Sequence, residues 1–278
     1  MASEYLGAAV RQIHRLFDEG TLAGLTDARL LRRYASHRDE QAFEALVQRH
    51  GRMVMAVCRG ILVDPNDADD AIQATFLLLA RKSGSPWVND SVGGWLHRVA
   101  FRIALQAKGD AARRRDRERR ASEMTSARNA AGEVWDDLHA VIHQEIDRLP
   151  DRYRKPIVLC YLEDMTYQQA ASQLRWSEGT TRGRLARGRE LLKARLTRRG
   201  VTSAGAVVGA FAFPSTASAV SVAMFQATTR AARPYVMGEA ATAVPVSTAT
   251  VILVNQAMRT MMIAKLKLAS LHRVQNGI

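Results

Sequence analysis

Residues 166–189 read Thr-Tyr-Gln-Gln-Ala-Ala-Ser-Gln-Leu-Arg-Trp-Ser-Glu-Gly-Thr-Thr-Arg-Gly-Arg-Leu-Ala-Arg-Gly-Arg, two short helices split by a tight turn. Thr166 with Gln169 three residues on forms a capping box that starts the first helix, and Ala170 and Leu174 recur on its inner face. Ser177 is placed to cap the second helix, and Glu178 suits its positive end. Arg182, Arg184, Arg187 and Arg189 follow, with Leu185 facing inward. A helix of this kind can lie in a major groove with its arginines on bases and phosphates. The same residues also fit a solvated basic helix in an ordinary bundle.

Charge along the rest of the chain argues for the first reading. The net charge is +13, and it is unevenly spread. Residues 98–120 hold nine Lys or Arg against Asp110, Asp116 and Glu118, and residues 175–199 hold nine against Glu178 and Glu190. These balances of +6 and +7 account for the whole excess, so the remainder is neutral. Two separated basic patches suggest two contacts with one long polyanion, for which DNA is the economical candidate.

The apolar spacing is helical throughout, without strand-like alternation, so the expected fold class is all-α. Leu6, Ala9, Val10, Ile13 and Leu16 mark an N-terminal amphipathic helix within residues 1–25. A first module covers 26–120, with a break at Asp64-Pro65-Asn66, a helix from about Asp67, a loop over Ser83 to Gly94 and a helix opening at Trp95. A polar, small-residue linker occupies 121–133, and a second module covers 134–200, with one helix over Tyr153 to Leu162 ahead of the helix-turn-helix. Residues 201–278 are rich in Ala, Val, Ser and Thr and hold one acid, Glu239. Their uncharged stretches are long enough to span a membrane, but Pro214, Pro245 and many hydroxyl residues favour a loosely ordered tail or a helical hairpin.

Four segments, in this order, resemble an extracytoplasmic-function RNA polymerase sigma factor of the sigma-70 family. Asp67-Ala-Asp-Asp-Ala-Ile-Gln-Ala-Thr-Phe76 is similar to the family's region 2 helix, and Trp95-Leu-His-Arg-Val-Ala100 to the helix after its promoter loop. Leu149-Pro-Asp-Arg-Tyr-Arg154 resembles the start of region 4, and the helix-turn-helix completes the set. The similarity covers about Thr26 to Arg199, leaving residues 201–278 as a C-terminal extension.

The resemblance implies a protein that catalyses no bond change and needs no cofactor or small-molecule substrate. It would bind core RNA polymerase at its clamp and flap regions, bring it to promoter DNA, and answer in some members to an anti-sigma factor. Asp67, Asp70 and Gln73 would dock on the clamp, on a face opposite the basic tract. Asn89, Asp90, Ser91 and Trp95, with the cations Arg98, Arg102, Arg113 and Arg114, would hold the melted minus-10 element. Thr180, Thr181, Arg182, Arg184 and Arg187 would engage the minus-35 duplex. Four departures stand out: Ala74 where the family usually has Glu, Arg102 where it has Asn, Arg175 where the turn usually holds Gly, and Thr181 where an aliphatic residue usually packs.

A stand-alone helix-turn-helix regulator is the alternative reading, and it would bind its site tightly without polymerase. An enzyme has little support, because no phosphate-cradling glycine loop or nucleophile elbow occurs. His139 and His143 sit four apart without a third ligand, which points away from a metal site. Cys58 and Cys160 lie in apolar surroundings and read as buried thiols of a reducing, cytoplasmic compartment. The extension is expected to regulate the protein by occluding it or by tethering it to another component.

Overall fold

The computed structural model describes residues 22, 24–85, 88, 91–121, 130–201, 222–238 and 246–275. The expected N-terminal helix, most of the 121–133 linker, and Asn89 and Asp90 lie outside the described residues. Among those described there are ten α-helices and one π-helical turn, and no strand.

The first module is built from α1 (Asp27–His37), α2 (Glu40–Arg59), α3 (Pro65–Lys82) and α4 (Val92–Ala121). The last three start where short polar side chains satisfy free backbone N–H groups, whereas Thr26 ahead of α1 makes no such bond. Asp39 accepts from Gln41 and Ala42 to open α2, and Asp64 accepts from Asn66 to open α3. Pro65 at the first position of α3 needs no donor there, so the helix begins two residues before the expected Asp67. Helix α4 likewise starts at Val92, ahead of Trp95, because Ser91 Oγ accepts from the Gly94 N–H at 3.2 Å.

Helix α3 sits at the centre, against α2 and α4. Residues 74–80 are buried without interruption, from Ala74 through Phe76 and Leu79 to Ala80. Seven consecutive buried residues span nearly two helical turns, so this length of α3 is covered from every direction.

The second module comprises α5 (Ala130–Asp147), α6 (Asp151–Ile157), a π-helical turn over Val158–Leu162, α7 (Tyr167–Leu174) and α8 (Glu178–Arg198). The sequence suggested one helix from Tyr153 to Leu162. Pro156 removes a backbone donor within it, and the helix widens just beyond, with Glu163 N–H reaching Val158 O at 3.1 Å.

The extension forms two helices, α9 (Val222–Met237) and α10 (Thr248–Gln275), together the hairpin, each laid on the first module rather than packed along the other. Both described elements of the extension are helices, and among the described residues no helix is long and apolar enough to cross a membrane. One face of each helix is covered, with Ala231, Ala232, Leu253, Val254 and Ala257 buried, while Met237, Ile252, Met262 and Ile263 are exposed.

The two modules touch through buried polar groups. His50 on α2 is fully buried, with Nδ1 2.7 Å from Glu163 of the second module and Nε2 3.0 Å from Asp27. Burial favours the neutral imidazole, but the carboxylates of Glu163 and Asp27 outweigh it and push His50 up to about 10. Burial also works against Asp27, yet His50 and Arg49 prevail and hold its carboxyl below the ordinary value. Gln173 of α7 donates to the same Asp27 carboxylate. His97 of α4 meets His143 of α5 at 3.2 Å, and burial holds both neutral, His143 lowered to about 3.

Candidate nucleic-acid and polymerase interface

The helix-turn-helix has the local chemistry its sequence predicts. Both bonds of the capping box form, Gln169 N–H to Thr166 Oγ1 at 3.2 Å and Thr166 N–H to Gln169 Oε1 at 2.9 Å. Arg175 takes the left-handed conformation, φ 57° and ψ 40°, that the turn requires. For a non-glycine residue this costs about 1 kcal/mol. Ser177 Oγ then accepts from the Thr180 N–H, which starts α8.

Along the first half of α8 the arginines face outward, while Arg195 further on turns toward Glu145 of α5. Arg182 pairs with Glu178 at 2.7 Å and lies over the Tyr167 ring, while Arg184 stacks on Trp176 at 4.1 Å from the ring centre. These aromatic contacts hold two guanidinium planes in place before any ligand arrives. Arg187 and Thr180 are exposed. Thr181 departs from expectation: it is fully buried and its hydroxyl donates to Ser177 O at 3.1 Å. It packs the helix and offers nothing to a duplex.

The minus-10 set is divided. Ser91 is buried as the cap of α4, so it too is corrected from a base contact to a structural one. Trp95 is partly buried and packs on the core. Arg98 donates to Asp147 at 2.9 Å and reaches Asp151 at 3.5 Å, both in the second module, and Arg102 lies 3.9 Å from Asp147. Arg113 pairs with Asp110 and remains largely exposed.

Asp67 and Arg114 were expected on opposite faces of the module. Instead they meet, Arg114 Nη2 donating to both Asp67 oxygens at 2.8 and 3.1 Å. The last turns of α4 cross near the start of α3, so one acid of the clamp set neutralises one cation of the DNA set. Asp70 and Gln73 are occupied as well. Ser247 Oγ donates to Asp70 at 2.5 Å, and Thr250 Oγ1 lies 2.9 Å from Asp70 Oδ1 and 3.1 Å from Gln73 Oε1.

Comparison with known proteins agrees with this geometry. Residues 46–118 match Sigma-70 region 2, and residues 139–192 match Sigma-70, region 4. The ECF RNA polymerase sigma factor SigM of Mycobacterium tuberculosis is 31% identical over 173 residues, covering 60% of this chain and 83% of that protein. The chain belongs to the extracytoplasmic-function sigma factors.

SigW of Bacillus subtilis is 28% identical over 57% of this chain and 90% of its own length. SigE of Mycolicibacterium smegmatis is 29% identical over 55% of this chain, which spans 60% of that relative. The stand-alone regulator reading is not favoured by these sigma-factor matches. Both family matches end before the hairpin, which begins at Val222.

Two features of this sigma factor escaped the sequence. His50 and Glu163 are 113 positions apart, and His50 stands between Arg49 and Gly51-Arg52, so nothing local marks the two as partners. The seat of the hairpin was also hidden. Ser247 and Thr250 have the spacing of a helix cap, and the Thr250 N–H does donate to Ser247 Oγ at 2.9 Å, but capping spacing does not name the surface the helix lands on.

Proposed function

We propose that this sigma factor docks on the clamp of core RNA polymerase through Asp70 and Gln73 of α3, with Asp67 available once Arg114 is drawn to DNA. The second module carries minus-35 recognition: Arg182, Arg184 and Arg187 engage bases and phosphates, and Thr180 lies beside them near the start of α8. The same module meets the polymerase flap. The minus-10 element is held by Arg98, Arg102, Arg113 and Arg114, with Asn89 and Asp90 offering polar groups to an extruded base and Trp95 bracing the helix behind them. An anti-sigma factor would act by covering these same surfaces.

The observation that carries the reading is the row of outward arginines on a capped, aromatic-braced recognition helix within a sigma-70 region 4 match. The ion pairs of Arg98 with Asp147 and Asp151 join the DNA cations of one module to acids of the other. Promoter phosphates would compete for Arg98, so DNA binding and parting of the modules go together. The test is reconstitution with core polymerase and mapping of transcript starts. Start-site-specific transcription that falls with Arg187→Ala supports the reading, and absence of any directed start with folded protein refutes it.

A further inference from the structure

The extension touches the first module where polymerase would. Asp70 and Gln73, the polar groups of α3 assigned above to the clamp, both lie within reach of the single Thr250 hydroxyl proton, and Asp70 also accepts from Ser247. Ser247 is itself the N-terminal cap of α10, so the Asp70 carboxylate lies at the positive end of that helix. The hairpin thereby supplies donors and positive potential to the acid that a basic partner surface would otherwise neutralise.

The rest of the hairpin is fitted to the same module. Phe225 of α9 rests on Gly51 of α2 so closely that a β-carbon there would stand 2.5 Å from the ring. Arg233 of α9 reaches Glu40 at 3.6 Å, and Gln106 of α4 donates to Gln256 of α10. Both α9 and α10 lie against α3, whose residues 74–80 are buried all round. Contacts with α2, α3 and α4 at once describe a seated element, with its polar anchor on Asp70 and Gln73.

We propose that the α9–α10 hairpin is a built-in competitor of core RNA polymerase. It occupies the α3 face in the free protein and must lift for the clamp to dock. The inference rests on the assignment of Asp70 and Gln73 to polymerase binding. Apparent affinity for polymerase is then the intrinsic affinity reduced by the fraction of molecules whose hairpin is open.

The experiment compares binding of purified core polymerase by the full chain, by Ser247→Ala/Thr250→Val, and by Phe225→Asp, each with Asp70 intact and as Asp70→Ala. The two loosened variants leave the docking residues untouched and should bind roughly 5- to 30-fold more tightly than the parent, as release of a closed population requires. Hydrogen exchange on the parent serves as a second readout: residues 248–258 should lose protection when polymerase binds. Equal affinity of parent and loosened variants, with α10 still protected in the complex and Asp70→Ala weakening binding, overturns the competitor and leaves the docking assignment standing. Asp70→Ala without effect in every background overturns the docking assignment and the competitor with it.

Discussion

Replacing His50 by Gln tests the buried bridge between the modules. In the folded chain the imidazole lies between Glu163 and Asp27, and its proton is held up to about 10 against an ordinary 6.5. Because the folded group binds its proton more tightly than the unfolded one, the stabilisation is fully present below 6.5 and is lost as pH rises through about 10. At about 1.4 kcal/mol per pH unit, the charge contributes roughly 4 kcal/mol at pH 7 and roughly 1–2 kcal/mol at pH 9. The neutral amide of Gln has no such proton. Urea unfolding of parent and His50→Gln at the two pH values should therefore give a stability gap that narrows by about 2–3 kcal/mol on going from pH 7 to pH 9. A gap of the same size at both would refute a charged imidazole in the bridge.

Arg187→Ala should weaken binding to the minus-35 duplex by about 1–3 kcal/mol and relax discrimination at one base pair, whereas Thr181→Val should leave it unchanged; competition with single-base variants of the duplex measures both. Arg175→Gly should raise thermal stability by about 1 kcal/mol through relief of the left-handed turn, read as a melting temperature higher by about 2–4 °C. Burial pushes the thiols of both cysteines up, and Cys58 is fully buried while Cys160 is only partly so. Timed maleimide labelling should therefore modify Cys160 first and Cys58 only on unfolding, and equal rates would contradict the packing of α2.

What was legible in the sequence was local. The capping box at Thr166 and the start of α8 at Ser177 depend on side chains reaching their own backbone, so spacing alone reveals them, while the left-handed Arg175 followed from the Gly that the family usually has in this turn. Assignments that needed relative placement went astray in identifiable ways. Ser91 and Thr181 look like surface hydroxyls, but each bonds a backbone group one turn away and is sealed by its neighbours. Asp67 and Arg114 were sorted by sign to different faces, and opposite charge is the reason they meet. The low charge of the extension left a loosely ordered tail and a helical hairpin both open, because composition does not show that Leu253, Val254 and Ala257 are covered.

The π-helical turn over Val158–Leu162 sets an angle as well as closing a gap left by Pro156. Each residue of an α-helix advances the chain by about 100° of rotation, so a turn that takes up one residue more shifts the phase of everything downstream by about that amount. Glu163 follows directly and points at His50, and the recognition helix comes after it. The direction in which the promoter-reading arginines face is thus an angular sum carried through this turn. A one-residue deletion there would leave every arginine of α8 intact and aim the set elsewhere, as a key cut correctly on a shank rotated by a quarter turn.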